Sequence, residues 1–516
     1  MEETMGVLSL LPPVLAIALA MWTKQTILSL FVGVWIGATM LAGWNPVVGI
    51  VDTFREFILG SMANSWNASV LLMTIMVGGF AMLLERGGGA HAFAESMRKY
   101  VKSRRSAQIV TWLGGLGVFF SDSTNPVVVG PVFKPITDRV RVSREKLAYI
   151  TDSTSAAVPL LLPITAWGAY VMGLLKTEFE NAGIQDNVIG AFMEAVPFQF
   201  YTIAAILMVL IIAVTNLEFG PMKAAEERAF NEGKLLGDDA RPMREDVTTE
   251  MPKEARPTIW SMILPIAALL ITLFAMFLWT GNYPERTFFE AIRNSSTMPS
   301  LIMAFFAAGV VALIMSIQTK VFNFGDGFLT WLEGVRGMVE ALTILVLAWS
   351  IGSVCSDVGT APFVVSVAQK LVNPTLIYAL IFIPAAFTAF STGTSWGTFA
   401  IFMPIAIPLA LAMDLSIFPA IGAVLSGGLF GDHCSPISDT TILSSIGSSC
   451  DHIDHVNTQL PYAMTAAFAA TIGYLVAGFV ASGIVSLAIT LVVLIVTVYG
   501  ISLVKGRPLF KEPSQG

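Results

Sequence analysis

Charged side chains are scarce in this chain. Asp, Glu, Lys and Arg make up 13% of its 516 residues, whereas about 25% is usual in a soluble globular protein. The mean hydropathy is +0.73, and apolar runs long enough to cross a bilayer recur along the whole length. A soluble fold is therefore excluded. The composition predicts an all-helical protein that crosses the cell (inner or plasma) membrane many times.

Other features are also rare or missing. The three cysteines show neither disulfide nor Cys-x-x-Cys spacing, which favours a role as small core residues. Glu2 and Glu3 stand where a signal peptide would be basic, so the apolar run over 7–22 is predicted to be a retained span. The net charge of −7 gives no indication of nucleic-acid binding. The glycine clusters lack the Gly-Lys-Ser/Thr of a phosphate loop, and no cofactor is expected.

Two parts of the sequence, roughly 270 residues apart, resemble one another. Residues 120–126 read FSDSTNP and residues 390–396 read FSTGTSW. About 25 residues after each comes a second polar interruption, at 151–159 and at 431–439. Matched interruptions of apolar segments in two halves of a chain indicate the binding site of a secondary transporter.

Basic residues orient the chain, because they concentrate in cytoplasmic loops. Two basic clusters are separated by about 28 residues, too few for two crossings of about 20 residues each. The segment between them is therefore predicted to be a re-entrant hairpin with its tip at 121–125. The clusters are Arg98, Lys99, Lys102, Arg104 and Arg105, and then Lys134, Arg139, Arg141, Arg144 and Lys146.

This orientation predicts two inverted-topology repeats, with about 11 transmembrane helices, two re-entrant hairpins and broken helices at the midplane. The N-terminus lies outside, Lys24 lies in a cytoplasmic turn, and the C-terminus is cytoplasmic with Lys505, Arg507 and Lys511. The loop with Glu178, Glu180, Asp186 and Glu194 is predicted to be external. The first repeat is predicted over 1–218, with its hairpin at about 107–133 and its broken helix at about 147–175. A cytoplasmic linker over 219–257 follows and is predicted to be flexible. The second repeat extends over 258–482, with its hairpin at about 375–412 and its broken helix at about 417–446, and an extra helix with a cytoplasmic tail occupies 483–516.

The interruptions supply oxygen ligands and contain no Lys or Arg. Backbone that leaves helical geometry at membrane depth must be buried or line a cavity, and Pro126, Pro159 and Pro436 favour such breaks. Hard cations take carboxylate, hydroxyl, amide and carbonyl oxygens, which predicts a Na⁺ site. The candidate ligands are Asp122, Ser123, Thr124, Asn125, Asp152, Ser153, Thr154, Ser391, Thr392, Thr394, Ser395, Asp432, Ser435, Ser438 and Asp439.

Asp152 and Asp432 are the leading pair, because they occupy equivalent positions in the two broken spans. Removal from water favours the protonated form of a carboxylate, whereas a nearby cation favours the ionised form. One aspartate therefore holds either a proton or Na⁺, which predicts obligatory exchange of the two ions. If the pair is close, the two carboxyls titrate as a unit. Ser and Thr in membrane helices are also common packing groups, whereas an intramembrane Asp is functional by default.

Three further residues are candidates for a proton relay, namely His433, Asp357 and Glu85. His433 could equally make a structural hydrogen bond, and the other two lie near span ends where they could reach water. The run from Asp451 to His455 has a spacing that could suit a metal. It falls in a predicted cytoplasmic loop before a span over 461–482, where a solvated or capping turn is the favoured interpretation.

The run from Gly431 to Ser445, GDHCSPISDTTILSS, and its continuation to Tyr462 closely resemble the NhaC-type Na⁺/H⁺ antiporters. The stretch from Asp152 to Ser155, with Pro163 and Trp167, resembles the first-half motif of that family. The likeness covers about 70 to 480. The resemblance implies the inverted-repeat ion-transporter fold with two hairpins. It also implies a protein that is often dimeric and that transports by an elevator movement. By the same resemblance, Asp152 and Asp432 are expected to bind the ion.

Alternatives remain at this point. The family includes relatives that exchange Na⁺ and lactate for malate and protons, so a small carboxylate could be a further substrate, in a space shaped by Trp167, Tyr170 and Trp396. An intramembrane aspartyl protease would need Gly-x-Gly-Asp and Tyr-Asp motifs, which Asp432 and Asp152 lack. A passive channel fits matched broken repeats less well. A Na⁺/H⁺ antiporter, not an enzyme, is the favoured prediction.

Overall fold

The computed structural model describes residues 5–23, 25–97, 101–185, 187–242, 255–360, 362–363, 366–367, 373–480 and 482–505. These residues form helices and no strands. The first half contains α1 (Leu11–Thr23), α2 (Thr26–Leu41), α3 (Pro46–Asp52), a π-helical turn (Thr53–Ile58), α4 (Leu59–Ala63), α5 (Ser65–Arg86), α6 (Gly89–Met97), α7 (Arg104–Gly117), α8 (Thr124–Arg139), α9 (Arg144–Ser155), α10 (Ala157–Leu160), α11 (Ala166–Asn181), α12 (Val188–Ala195), α13 (Phe200–Thr215) and α14 (Gly220–Glu232).

The second half contains α15 (Trp260–Thr280), α16 (Phe288–Arg293), α17 (Thr297–Gln318), α18 (Phe324–Gly337), α19 (Val339–Asp357), α20 (Ile377–Thr392), α21 (Ser395–Ala412), α22 (Ile417–Cys434), α23 (Asp439–Gly447), α24 (His452–Ala477) and α25 (Gly483–Lys505). Within the described ranges, 9 helices are long and apolar enough to cross a membrane, or up to 11 if each bent pair is one span. The prediction of an all-helical polytopic membrane protein is confirmed.

Burial separates central from peripheral helices. The helix Ile417–Cys434 has 94% of its residues buried, whereas the apolar windows in Trp260–Thr280 and Gly483–Ser502 have 33% and 22%. Apolar side chains such as Ile271 and Ile484, 70% and 77% exposed, would be unfavourable in water, so these outer faces meet lipid. Asp432 thus lies on the most enclosed of the spans. Cys355, Cys434 and Cys450 are buried and free, as expected of small core residues.

Two helix pairs occur where the sequence predicts hairpins. In the first, α7 and α8 are joined by residues 118–123, so the tip predicted at 121–125 lies in this turn and the first residues of α8. In the second, α20 and α21 are joined at Gly393 and Thr394, where Gly393 adopts a left-handed φ of 73° that glycine tolerates. The re-entrant path of both pairs and the inverted relation of the two halves stay predictions.

The helix breaks are partly displaced from their predicted positions. In the second half, α22 ends at Cys434 and α23 begins at Asp439, because Pro436 lacks a donor and favours an extended residue before it. In the first half, residues 151–155 remain helical in α9, and the chain unwinds at 161–165. Within the predicted interruption over 151–159 the helix is broken only at Ala156, between α9 and α10, so the prediction was wrong for the rest of this stretch. Carbonyls that are hydrogen-bonded inside α9 are not free to bind an ion there.

The first part of the linker is folded. Residues 220–232 form α14, with Met222, Ala225 and Glu226 buried. Arg104 donates to Glu226 Oε2 at 2.5 Å, and Lys146 pairs with Glu218 at 2.7 Å with both side chains buried. The interpretation of a flexible linker was wrong for this part, because the charges of both signs are used in pairing. Residues 243–254 lie outside the described residues.

Three other expectations need correction. The helix α24 begins at His452 and not at 461, so His455 is fully buried and not in a solvated loop. Glu178 is buried on α11 and is not part of an external loop. The helices over 46–63, bent by 118° from α2, were not predicted. Six of the charged residues that were used to orient the chain lie outside the described residues, namely Lys24, Arg98, Lys99, Asp186, Arg507 and Lys511.

Candidate functional site

Asp152 lies on α9 and is 2% exposed. Its carboxylate accepts hydrogen bonds from Thr441 Oγ1 at 3.1 Å, Ser444 Oγ at 3.3 Å and Gln459 Nε2 at 2.7 Å. Thr441 and Ser444 are three residues apart on α23, so both hydroxyls lie on one helix face. Gln459 comes from α24. The aspartate of the first half is therefore held by neutral donors of the second half.

Asp432 lies in the last turn of α22 and is also 2% exposed. Ser395 Oγ donates to its Oδ2 at 2.8 Å, and Ser438 Oγ donates to its Oδ1 at 2.5 Å. Ser395 is the first residue of α21, directly after the hairpin turn, and Ser438 ends the break between α22 and α23. Both interruptions in the second half thus converge on one carboxylate.

Shared partners connect the two aspartates. Thr441 Oγ1 lies 3.1 Å from Asp152 Oδ2 and 3.3 Å from the main-chain oxygen of Asp432. Gln459 Nε2 donates both to Asp152 Oδ2 and to the main-chain oxygen of His433. A single hydroxyl proton cannot satisfy two oxygens at once. The Thr441 hydroxyl therefore leaves one of its two acceptor oxygens without this hydrogen, whereas the two hydrogens of Gln459 Nε2 can serve both of its acceptors.

His433 is fixed by two hydrogen bonds. Its Nε2 lies 3.0 Å from Ser153 Oγ and its Nδ1 lies 2.7 Å from Tyr201 Oη. The ring is 4% exposed and joins α9, α13 and α22. The structural hydrogen bond that was left open for this histidine is present. Ser153 binds this ring and not either aspartate.

Asp122 and Asp439 form a second, more accessible part of the site. Trp167 Nε1 donates to Asp122 Oδ2 at 2.9 Å, and the Trp167 and Trp396 rings lie 4.7 Å apart. Asp439 is exposed at the first turn of α23. Glu85 Oε2 accepts from Thr124 Oγ1 at 2.7 Å. Trp167 therefore connects the tips of the two helix pairs beside these carboxylates.

Several predicted ligands make contacts of another kind. Asn125 Nδ2 donates to the main-chain oxygens of Gly115, Val118 and Thr154, at 2.8, 3.3 and 3.3 Å, and thereby fixes α8 against α7 and α9. Ser435 Oγ donates to the Phe390 oxygen at 2.8 Å. The hydroxyls of Thr154, Ser391 and Thr392 donate to carbonyls of their own helices. Ser123 and Asp357 are exposed. The main-chain carbonyl of Thr394 accepts a hydrogen bond from the Thr398 hydroxyl.

Sequence reasoning missed part of the site. Gln459, Thr441 and Ser444 contact Asp152, and His455 Nε2 lies 3.9 Å from Asp152 Oδ2 and 2.9 Å from Gln459 Oε1. Neutral side chains carry no charge signal in an apolar run. The sequence did offer one clue, because His455 and Gln459 are four residues apart and fall on one face if the helix is extended to 452.

Comparison with known proteins agrees with this architecture. The model of the Na⁺/H⁺ antiporter family matches residues 158–479. An uncharacterized protein of Haemophilus influenzae is 34% identical over 509 residues, covering 96% of this chain and 95% of that one. A malate-2H⁺/Na⁺-lactate antiporter of Bacillus subtilis is 27% identical over 181 residues, covering 35% of this chain and 38% of that one.

A further relative and a solved structure are also similar to this chain. The Na⁺/H⁺ antiporter NhaC of Alkalihalophilus pseudofirmus is 31% identical over 135 residues, 25% of this chain and 28% of that one. The YdaH transporter of Alcanivorax borkumensis has a TM-score of 0.59 at 15% identity, covering 83% of this chain and 88% of that one, and shows a shared fold. The resemblance found in the sequence is confirmed and the protease alternative is dropped, since this chain belongs to the Na⁺/H⁺ antiporter family.

Proposed function

We propose that this protein exchanges Na⁺ for H⁺ across the membrane by alternating access, with Asp152 and Asp432 holding either ion. The observation that carries the proposal is that the Thr441 hydroxyl lies between the Asp152 carboxylate and the main-chain oxygen of Asp432, whose own carboxylate is buried beside Ser395 and Ser438. Buried aspartates in a membrane protein are costly unless they bind a proton or a cation. The donors found around both are neutral hydroxyls and one amide.

The chemistry of this site suits Na⁺ better than an anion. Carboxylate, hydroxyl and main-chain oxygens lie within reach of one another, and Na⁺ as a hard cation prefers such ligands. The hydroxyls of Thr441 and Ser438 can rotate and present a lone pair to a cation or a hydrogen to a carboxylate. A protonated aspartate would instead donate a hydrogen of its own to these neighbouring oxygens. Each ion therefore satisfies the same groups, and the two compete.

Purified protein in liposomes tests this proposal. A Na⁺ pulse to liposomes with an acidic interior should dissipate the pH gradient in the absence of any organic solute. Asp238→Asn serves as a control, since Asp238 is an exposed residue paired with Lys234, and it should exchange as the wild type does. Absence of a Na⁺-dependent pH change in folded, correctly inserted protein would reject Na⁺/H⁺ exchange.

A Na⁺- or H⁺-coupled carboxylate exchanger is the second candidate. It is favoured by the likeness to an antiporter named for malate and lactate and by the aromatic contact of Trp167 with Trp396. The neighbouring Asp122 and Asp439 oppose it, because like charges repel a carboxylate substrate. Counterflow of labelled malate or lactate in the same liposomes would establish this candidate, and its absence alongside active Na⁺/H⁺ exchange would dismiss it.

A further inference from the structure

Glu178 is a buried carboxyl that the proposed site does not use. It lies on α11 and is 4% exposed. Within the described part of the chain its side chain has no hydrogen-bond or ion-pair partner. The one basic residue of α11, Lys176, pairs with Glu180 at 3.2 Å and lies 5.4 Å from the ring of Trp66. The cation nearest in sequence is thus engaged elsewhere.

The surroundings of Glu178 belong to the other half of the chain. Glu178 Oε1 lies next to Gly352 of α19, because a methyl group built on this glycine would be 3.1 Å from that oxygen. The same methyl group would be 3.7 Å from Pro404 of α21. Cys355 lies one turn further along α19 and is close enough to interact electrostatically with the carboxyl. The carboxyl therefore sits where α11 of the first half meets α19 and α21 of the second.

Two effects disfavour a negative charge at this position. Transfer of an unpaired carboxylate out of water costs far more than transfer of the neutral acid. Glu178 also lies in the last turn of α11, where the negative end of the helix dipole repels an anion. The titratable residues of the elements packed against α11 are Cys355, Asp357 and Glu340 on α19, Glu85 and Arg86 on α5, and Glu194 on α12.

The same surroundings do not suit Na⁺. A hard cation needs several oxygen ligands, whereas no side chain of the described residues forms a hydrogen bond or an ion pair with the Glu178 carboxyl. A proton needs only the carboxyl itself. The chemistry at this position therefore selects a proton.

We propose that Glu178 is a second proton-binding site, which carries a proton while α11 is closed against α19 and releases it to external water when that contact opens. This inference rests on the proposed Na⁺/H⁺ exchange and adds one proton to the cycle beyond those held at Asp152 and Asp432. The released proton passes to external water, and the ionised carboxyl takes one up from the cytoplasmic side in the opposite arrangement of the halves, so that each cycle carries this proton across the membrane.

Infrared spectroscopy of the purified full-length protein tests proton binding directly. A protonated carboxyl shows a C=O stretching band that shifts in D₂O. One component of this band should be lost in Glu178→Gln at neutral pH and kept in Glu180→Gln, which alters an exposed residue of the same helix. An unchanged band in Glu178→Gln would overturn the inference, whether or not that variant transports ions.

Flux measurements test whether the proton moves with the cycle. With H⁺ and Na⁺ fluxes recorded in the same liposomes, Glu178→Gln should move one H⁺ fewer per turnover, whereas Glu178→Asp and Glu180→Gln should keep the wild-type ratio. An unchanged ratio in Glu178→Gln would overturn the carrier role. Absence of Na⁺-driven H⁺ flux in wild-type protein would instead reject the proposed function, and the infrared band would still report on Glu178.

Discussion

At the scale of single residues, the two aspartates are the strongest test of ion binding. Asp152→Asn and Asp432→Asn keep the shape of the side chain but remove the group that holds a proton or balances a cation. Each should reduce exchange by roughly two orders of magnitude, equivalent to about 2.7 kcal/mol. Initial rates of Na⁺-driven H⁺ flux measure this loss. Full activity in both folded variants would refute their roles.

Thr441 allows a finer test, because its hydroxyl contacts both the Asp152 carboxylate and the main-chain oxygen of Asp432. Thr441→Val has nearly the same shape but removes the donor to Asp152, and loss of a hydrogen bond to a charged group costs about 1.5–3 kcal/mol. We expect the Na⁺ concentration for half-maximal exchange to rise about tenfold or more. Thr441→Ser keeps the hydroxyl and should stay close to wild type. Equal behaviour of the two variants would show that the hydroxyl does not contribute.

The residue scale also shows what a sequence can reveal. Asp152 and Asp432 could be identified because a carboxylate within an apolar run is conspicuous. Gln459, Thr441 and Ser444 could not, because neutral polar residues occur in membrane helices as ordinary packing groups. Conversely, Asn125 and Ser435 resemble ligands in sequence but bond main-chain oxygens in the structure. Only the fold determines which oxygen a hydroxyl or amide faces.

At the scale of helices, close packing of α22 against α20 positions Asp432. A methyl group on Gly431 would lie 2.1 Å from the main-chain nitrogen of Phe390, and backbone cannot move aside cheaply. Gly431→Ala should lower stability by about 1–3 kcal/mol, seen as a reduced unfolding temperature in detergent. Gly309→Ala is the matched control, since nothing lies within 4 Å of its added methyl group. Equal unfolding temperatures for the two variants would contradict this packing.

The buried pair of Lys146 with Glu218 fixes the start of the linker. Removal of one member leaves an unpaired buried charge, which costs about 3–5 kcal/mol, so Lys146→Met should be strongly destabilised. The double variant Lys146→Met, Glu218→Gln should recover much of the loss. Lys234→Met affects an exposed pair and should cost less than about 1 kcal/mol. Thermal unfolding compares the three, and an undisturbed Lys146→Met would refute the pairing.

Helix positions were more predictable than helix breaks. The apolar run predicted over about 375–412 corresponds to α20 and α21, which together extend from Ile377 to Ala412. Proline located the break after Cys434, because Pro436 both lacks a donor and constrains Ser435. Residues 151–155 contain no proline, and the hydroxyls of Thr151, Thr154 and Ser155 bond carbonyls within α9. A polar stretch alone therefore does not show that a helix is broken.

At the scale of the whole molecule, the donors and acceptors of the site come from both halves. Asp152 of α9 is bound by α23 and α24, and Tyr170 of α11 donates to the main-chain oxygen of Trp396 at 2.7 Å. A movement of one half against the other would therefore break contacts at the candidate site. In the proposed mechanism this arrangement would link ion occupancy to conformation, since an ion that stabilises these contacts also stabilises one arrangement of the halves.

Alternating access predicts that exposure of the hairpin tip changes with the ion. Ser123 is exposed in the turn before α8, beside Asp122, and the native cysteines are buried. Ser123→Cys should react with a membrane-impermeant maleimide at a rate that Na⁺ changes several-fold, because Na⁺ at the aspartates would favour one arrangement over the other. Asn294→Cys, in an exposed loop after α16, should react at a rate independent of Na⁺. A Na⁺-independent rate at position 123, under conditions of measured exchange, would mean that this tip does not take part in the transport movement.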